Sequence, residues 1–216
     1  MTAVVVATAV GLTVGAGASA RPVGLSDAAI LRAGVIRAKD VPTTWAAVKQ
    51  SSTASPYTGV SPCRAINAAE ETAKRRVPRA RSPEFTDTQS AGTTMADDTV
   101  YAFPNVTAAG RYLAVYQASS TGLCLQTVLA KAVGPAGTAT VAPLTAQLQG
   151  LGDANAGYEG TIQGTSQQGQ PIALVADLVA VRVGRAVVTF EFLNANVQIP
   201  DGPGIVDTVV RRLQLK

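Results

Sequence analysis

No histidine occurs in the 216 residues. That removes Ser-His-Asp triads, Cys-His nucleophiles and imidazole metal sites together. A Ser-Lys enzyme or a pair of carboxylates stays formally open. Asp177 is the acid that stands out, because the residues two and four places further on, Val179 and Val181, put it on an apolar face. A buried acid lining a cleft would hold its proton to higher pH and could be functional. The structural alternative, a core face emerging into solvent or a bulge shifting the register, is the one favoured. Glu191 falls on the other face, across from Leu178, so the two acids form no glycosidase-like pair.

Lys74, Arg75, Arg76, Arg79 and Arg81 place five positive charges within eight residues. Such a cluster could bind an acidic envelope polymer, an anionic headgroup or a phosphorylated ligand. The plainer reading, preferred here, is a solvated helix end supported by the i,i+4 pairs Glu70–Lys74 and Glu71–Arg75. Nucleic acid is not an expected partner, since aromatic interleaving is absent. Trp45, Tyr57, Tyr112 and Tyr116 could line a ligand cleft, although a single Trp and tyrosines at i,i+4 more often serve packing. Gly150-Leu151-Gly152 lacks the strand–helix context of a phosphate loop. No cofactor or metal is expected.

Residues 3–17 are apolar or small apart from Thr8 and Thr13, and Ala18-Ser19-Ala20 follows. This predicts a signal peptide over residues 1–20, removed on export. The apolar run of about fifteen residues is shorter than a bilayer-spanning helix requires. Only Met1-Thr2 precede it, which leaves the start codon open. An exported chain with two cysteines most simply pairs them. A Cys63–Cys124 bridge would contribute roughly 4 kcal/mol in the chain-entropy model; two buried thiols or an intermolecular bridge are the alternatives. Charged residues are 15%, the net charge is +4 and aromatics are 5%, a profile of a weakly charged, folded domain. One domain is expected over residues 21–216.

The elements that must position these groups follow from periodicity. Ser26-Asp27 caps a first helix through Ile30, Leu31, Val35 and Ile36, ending near Lys39-Asp40. Val41-Pro42 forces an extended turn. A second helix covers 63–76, strands cover 84–89 and 99–103, and a third helix starts at Asn105 or Thr107. Gly122 marks a break before a short helix carrying Cys124. From Ala139 the period becomes two, with strands at 140–147 and 157–164. The strongest element is a hairpin, 172–183 and 186–193, turning at Gly184-Arg185. It pairs Val183 with Ala186, Val181 with Val188, Val179 with Phe190 and Asp177 with Phe192. Asp201 starts a closing helix with Ile205, Val209 and Leu213 on one face. The fold class is α+β: a largely antiparallel sheet with helices packed on one face.

Asp40-Val41-Pro42-Thr43-Thr44-Trp45, Cys63, Val100-Tyr101-Ala102-Phe103, Cys124 and Val181-Arg182-Val183-Gly184-Arg185-Ala186-Val187-Val188 come in an order shared with one family. The chain resembles the extracellular sensor domains of actinobacterial PknH-type receptor kinases and their stand-alone secreted or lipoprotein relatives. The resemblance implies a helix-flanked antiparallel sheet with a cleft, stabilised by disulfides, and a ligand-binding role without catalysis. It departs from the family in offering one disulfide rather than two, with no kinase domain and no transmembrane segment. The expected function is an exported binding or sensor-like domain for a small molecule, lipid or envelope polymer, working as a monomer. A His-free envelope hydrolase and an envelope protein–protein adaptor are the alternatives.

Overall fold

The computed structural model describes residues 25–49, 55–87, 94–134, 137–165, 171–195 and 202–215. The leader expected over residues 1–20 and the helix start expected at Asp201 lie outside the described residues.

Period-two patterning builds the centre of the molecule. β7 (Pro171–Val183) and β8 (Ala186–Ala195) form the hairpin in the expected register, Val181 facing Val188 and Asp177 facing Phe192. Gly184 has φ +56°, the positive value that the first position of a two-residue hairpin loop demands. On one side the meander continues through β6 (Ala154–Thr165) and β5 (Thr138–Pro143). On the other, β8 pairs with β4 (Met95–Ala102). The outer edge of β4 is shared by β3 (Glu84–Asp87) and β2 (Arg79–Arg81), and β1 (Trp45–Val48) closes that side on β3. Every ladder is antiparallel. Pro83 lacks a ladder donor and splits β2 from β3. Ser82 bridges the gap: its N–H donates to the Asp98 carbonyl at 3.1 Å, and its hydroxyl accepts from the Asp98 N–H at 3.0 Å.

The α+β class and the antiparallel sheet are those expected, but helices cover both faces rather than one. α1 (Asp27–Ala33) and α5 (Gly202–Gln214) pack on a first face of Val100, Val179, Val181, Val188 and Phe190. α2 (Arg64–Arg76), α3 (Val106–Gln117) and α4 (Ser119–Val133) serve a second face carrying Tyr101, Leu178, Ala180 and Val187. The reason lies in the central strands. Residues 186–190 are buried without a break, so β8 has no solvent side there and must be clothed twice.

Two helix boundaries also differ. α1 stops at Ala33 because Gly34 lies against β4, where a Cβ would sit 2.5 Å from Val100 Cγ2. The turn beyond it is held by Arg212 of α5. Its Nε donates to the Ala33 carbonyl at 2.7 Å, Nη2 to the Val35 carbonyl at 2.6 Å, and Nη1 to the buried Asp40 carboxylate at 2.7 and 2.9 Å. The break between α3 and α4 comes at Ala118, not Gly122, and α4 runs fifteen residues through that glycine. Gly122 lies under the Tyr158 ring, where a Cβ would be 3.2 Å from Cε1. Cys63 and Cys124 are bonded, with Cα atoms 4.7 Å apart, tying the start of α2 to α4. Among the described residues no helix is long and apolar enough to cross a membrane.

Candidate functional site

The second face is not wholly covered. Two adjoining cavities open on it and share Pro56, Tyr57 and Glu191. The first, about 290 Å³, lies under α4 and is apolar: Leu125, Val128 and Leu129 form its roof, and Ala176, Leu178 and Tyr158 line its sheet side. Leu125, Val128 and Leu129 reach it together because i, i+3 and i+4 share a helix face. Gly160 belongs here too; a Cβ on it would lie 2.3 Å from Leu129 Cδ1. The second cavity, about 570 Å³, lies beside α2 and is polar, with Thr99, Tyr101 and Thr189 on its floor and Glu70, Lys74, Arg79 and Arg81 around its mouth. Strand register aims the two arginines. Arg79 pairs with Tyr101 and Arg81 with Thr99, so each shares the face of a floor residue.

Glu191 stands at the neck between the two. Its surface is open to a solvent-sized probe, yet that surface belongs to the cavity wall, and protein surrounds the carboxyl on its other sides. This enclosure, with the Asp97 and Glu70 carboxylates nearby, pushes its pKa up to about 7. Asp97 faces Glu191 across the ladder and is held by Arg81 at 3.3 Å. Burial likewise raises Glu70 above the usual carboxylate range, against the opposing pull of Lys74 at 3.7 Å. Beside the polar floor, α3 adds further hydroxyls. The Tyr101 and Tyr112 rings lie 5.2 Å apart, the Tyr112 and Tyr116 hydroxyls lie 3.1 Å apart, and Tyr116 donates to Glu70 Oε1 at 3.2 Å. Desolvation drives the Tyr112, Tyr116 and Tyr57 phenols well above their ordinary value, so they act as neutral hydrogen-bonding groups.

The structure sorts the residues singled out in the sequence. Lys74, Arg79 and Arg81 converge on the polar cavity, whereas Arg75 and Arg76 are exposed and do not line it. Tyr112 and Tyr116 are brought together on α3 but are buried beside the polar cavity and do not line it. Trp45 sits on the edge strand β1 and packs against the first-face core, away from both cavities. Asp177 points to the first face beside a cavity of about 30 Å³, room for a water or two, and it also forms part of the wall of the cavity under α4. Its pKa rises to about 6 through burial and the Glu159 carboxylate, and among the described residues its Oδ1 has no hydrogen-bond partner. Glu191 is the residue sequence reading passed over. Its signal was an acid between Phe190 and Phe192 in a strand apolar on both sides.

Among the described residues no group of three or more acidic or cysteine side chains is placed to share a metal ion. The sequence matches no family model, and no curated protein matches it. The fold is similar to the extracellular domain of PknH from Mycobacterium tuberculosis, seen in a crystal structure. That likeness has a TM-score of 0.54 at 13% identity and covers 89% of this chain and 98% of that one. At that identity it speaks to the fold alone.

Proposed function

We propose that this chain is an extracytoplasmic, sensor-like binding domain, without catalytic activity of its own, which encloses the apolar part of a small molecule, lipid or envelope component under α4. One observation carries this reading: an apolar cavity joins a polar, charged one through a shared neck at Pro56, Tyr57 and Glu191. Ligand sites combine apolar walls with a few placed polar groups in this way. Support for the compartment comes from the buried Cys63–Cys124 bridge, because disulfides persist in oxidising surroundings, and from the likeness to an extracellular domain. A hydrolase built on Asp177 would need a second polar group converging on it, and among the described residues its Oδ1 has no hydrogen-bond partner. Among the described residues the exposed large apolar side chains Val48, Val106, Leu123 and Leu215 sit singly on β1, α3, α4 and just past α5, which gives an adaptor no obvious patch there.

The test uses phenylnaphthylamine, a neutral dye that fluoresces in apolar sites. Wild-type protein should enhance its emission saturably. Ala176→Phe, which fills the cavity beneath α4, should abolish the enhancement while the far-ultraviolet circular dichroism stays unchanged. Dye binding that survives Ala176→Phe overturns the assignment. So does turnover of an envelope substrate that disappears in Glu191→Gln.

A further inference from the structure

The polar half of the cleft carries more information than its size. Five charged side chains turn toward it or stand at its neck, and most are already matched. Arg81 faces Asp97 at 3.3 Å, and Lys74 lies 3.7 Å from Glu70 and 3.3 Å from Glu71. Arg79 differs. Among the described residues no carboxylate comes within ion-pair distance of it; it faces the neutral Tyr101 across the ladder. It is exposed, stands two residues from Arg81 on the same face of β2, roughly 7 Å along the strand, and looks onto the hydroxyl-bearing floor of Thr99 and Thr189. A cation without a counter-charge at the mouth of a cavity is a site for an anion. The acids farther in do not reverse this: enclosure holds Glu191 partly protonated around neutral pH, and Lys74 stands against Glu70 at 3.7 Å. A protonated Glu191 at the neck is a hydrogen-bond donor to an anionic oxygen.

Resting on the reading of the cleft as the binding site, we propose that its ligand is an anionic amphiphile. Its phosphate, sulfate or carboxylate head is held by Arg79 with Lys74 and Arg81 beside it, and its apolar chain passes Glu191 into the cavity under α4. The alternatives have distinct signatures. A soluble phosphate compound would use the mouth alone, and a cationic amphiphile would be drawn by the acids and repelled by Arg79.

The experiment is competition against bound phenylnaphthylamine, below micelle-forming concentrations. Lysophosphatidate, a monoacylglycerol of the same chain length, a long-chain trimethylammonium and glycerophosphate are compared. Lysophosphatidate should displace the dye at the lowest concentration. Arg79→Gln should weaken it roughly tenfold, the scale of a lost charge-assisted hydrogen bond, and leave monoacylglycerol unchanged. Arg75→Gln, on the face turned away, should alter neither. Equal competition by the neutral lipid, preference for the ammonium, or indifference to Arg79→Gln overturns the anionic assignment while the dye site stands. Loss of the site itself is read separately, from Ala176→Phe. Tight calorimetric binding of glycerophosphate would assign the mouth to a soluble phosphate compound and also overturn the amphiphile.

Discussion

Arg212 and Arg185 show how buried charge ties the chain to the sheet. Arg212 spends its guanidinium on two α1-turn carbonyls and on Asp40, whose side chain is only 2% exposed. Arg185 reaches the Phe103 carbonyl at 2.8 Å, the Leu25 carbonyl at 2.6 Å and the Asp27 carboxylate at 2.6 Å. Arg182 meets Asp153 at 3.3 Å. Each pins a chain segment to the sheet, and none enters the cleft. The residues that carry the family resemblance therefore build the scaffold, apart from Tyr101 on the floor of the polar cavity. Truncating Arg212 to Ala would leave Asp40 buried without its counter-charge, and the expected loss is about 3–5 kcal/mol, read as a shift in denaturant midpoint at constant slope. The contrasting case is Asp177→Asn. It removes an acid that burial and Glu159 already disfavour, so it should stabilise slightly at pH 8 and leave dye binding untouched. A loss of dye binding in Asp177→Asn would return that residue to the site.

At the scale of elements, the disulfide and α4 together shape the cleft. Cys124 immediately precedes Leu125, which opens the cavity roof, and Cys63 follows shortly after the Pro56-Tyr57 neck. The bridge therefore holds the roof and the neck at a fixed spacing, in addition to closing a sequence separation of 61 residues. Replacing both cysteines with Ala should cost roughly 4 kcal/mol and weaken phenylnaphthylamine binding even at temperatures where the protein stays folded. Unchanged affinity in the folded variant would limit the bridge to stability alone. How much of this was legible follows from which elements are local. The β7–β8 register could be read from alternation and the Gly184-Arg185 turn, because both are properties of adjacent residues. Asn105 could be read as a helix cap, and its side chain accepts from the Ala108 N–H at 2.8 Å. The second layer of helices could not. Val187 and Val188 are adjacent and both buried, a two-sided pattern that alternation conceals, so the face bearing Glu191 read as solvated. The cleft itself is the space that α2 and α4 leave between them, a tertiary property with no local signature. The basic run gave a partial signal, but only the pairing of β2 with β4 separates Arg79 and Arg81 from Arg75 and Arg76.

Across the whole molecule, carboxyl groups are enclosed on both faces of one sheet, and this sets an unusual dependence of stability on pH. Asp98 is fully buried on the first face. It accepts from the Ile36 N–H at 2.8 Å, and Arg212 draws its pKa down, but desolvation outweighs both and, with Asp97 adding, lifts it to about 7. Glu191 on the second face also titrates near 7, and Asp177 near 6. In the unfolded chain these groups release their protons around pH 4. Between those limits the folded state binds more protons than the unfolded state, so stability falls as pH rises. Their contribution is fully favourable below about pH 4 and is lost by about pH 7. The melting temperature should therefore be higher near pH 5 than near pH 8, by on the order of several degrees for a domain of this size. Asp98→Asn should raise the value at pH 8 and flatten part of the slope, because the amide oxygen can still accept from Ile36 without carrying charge, while Glu191 and Asp177 keep the remainder. Calorimetry across that range decides it. A melting temperature that climbs from pH 5 to 8 in wild-type protein, or a slope untouched by Asp98→Asn, would show that Asp98 ionises as readily in the fold as in the open chain.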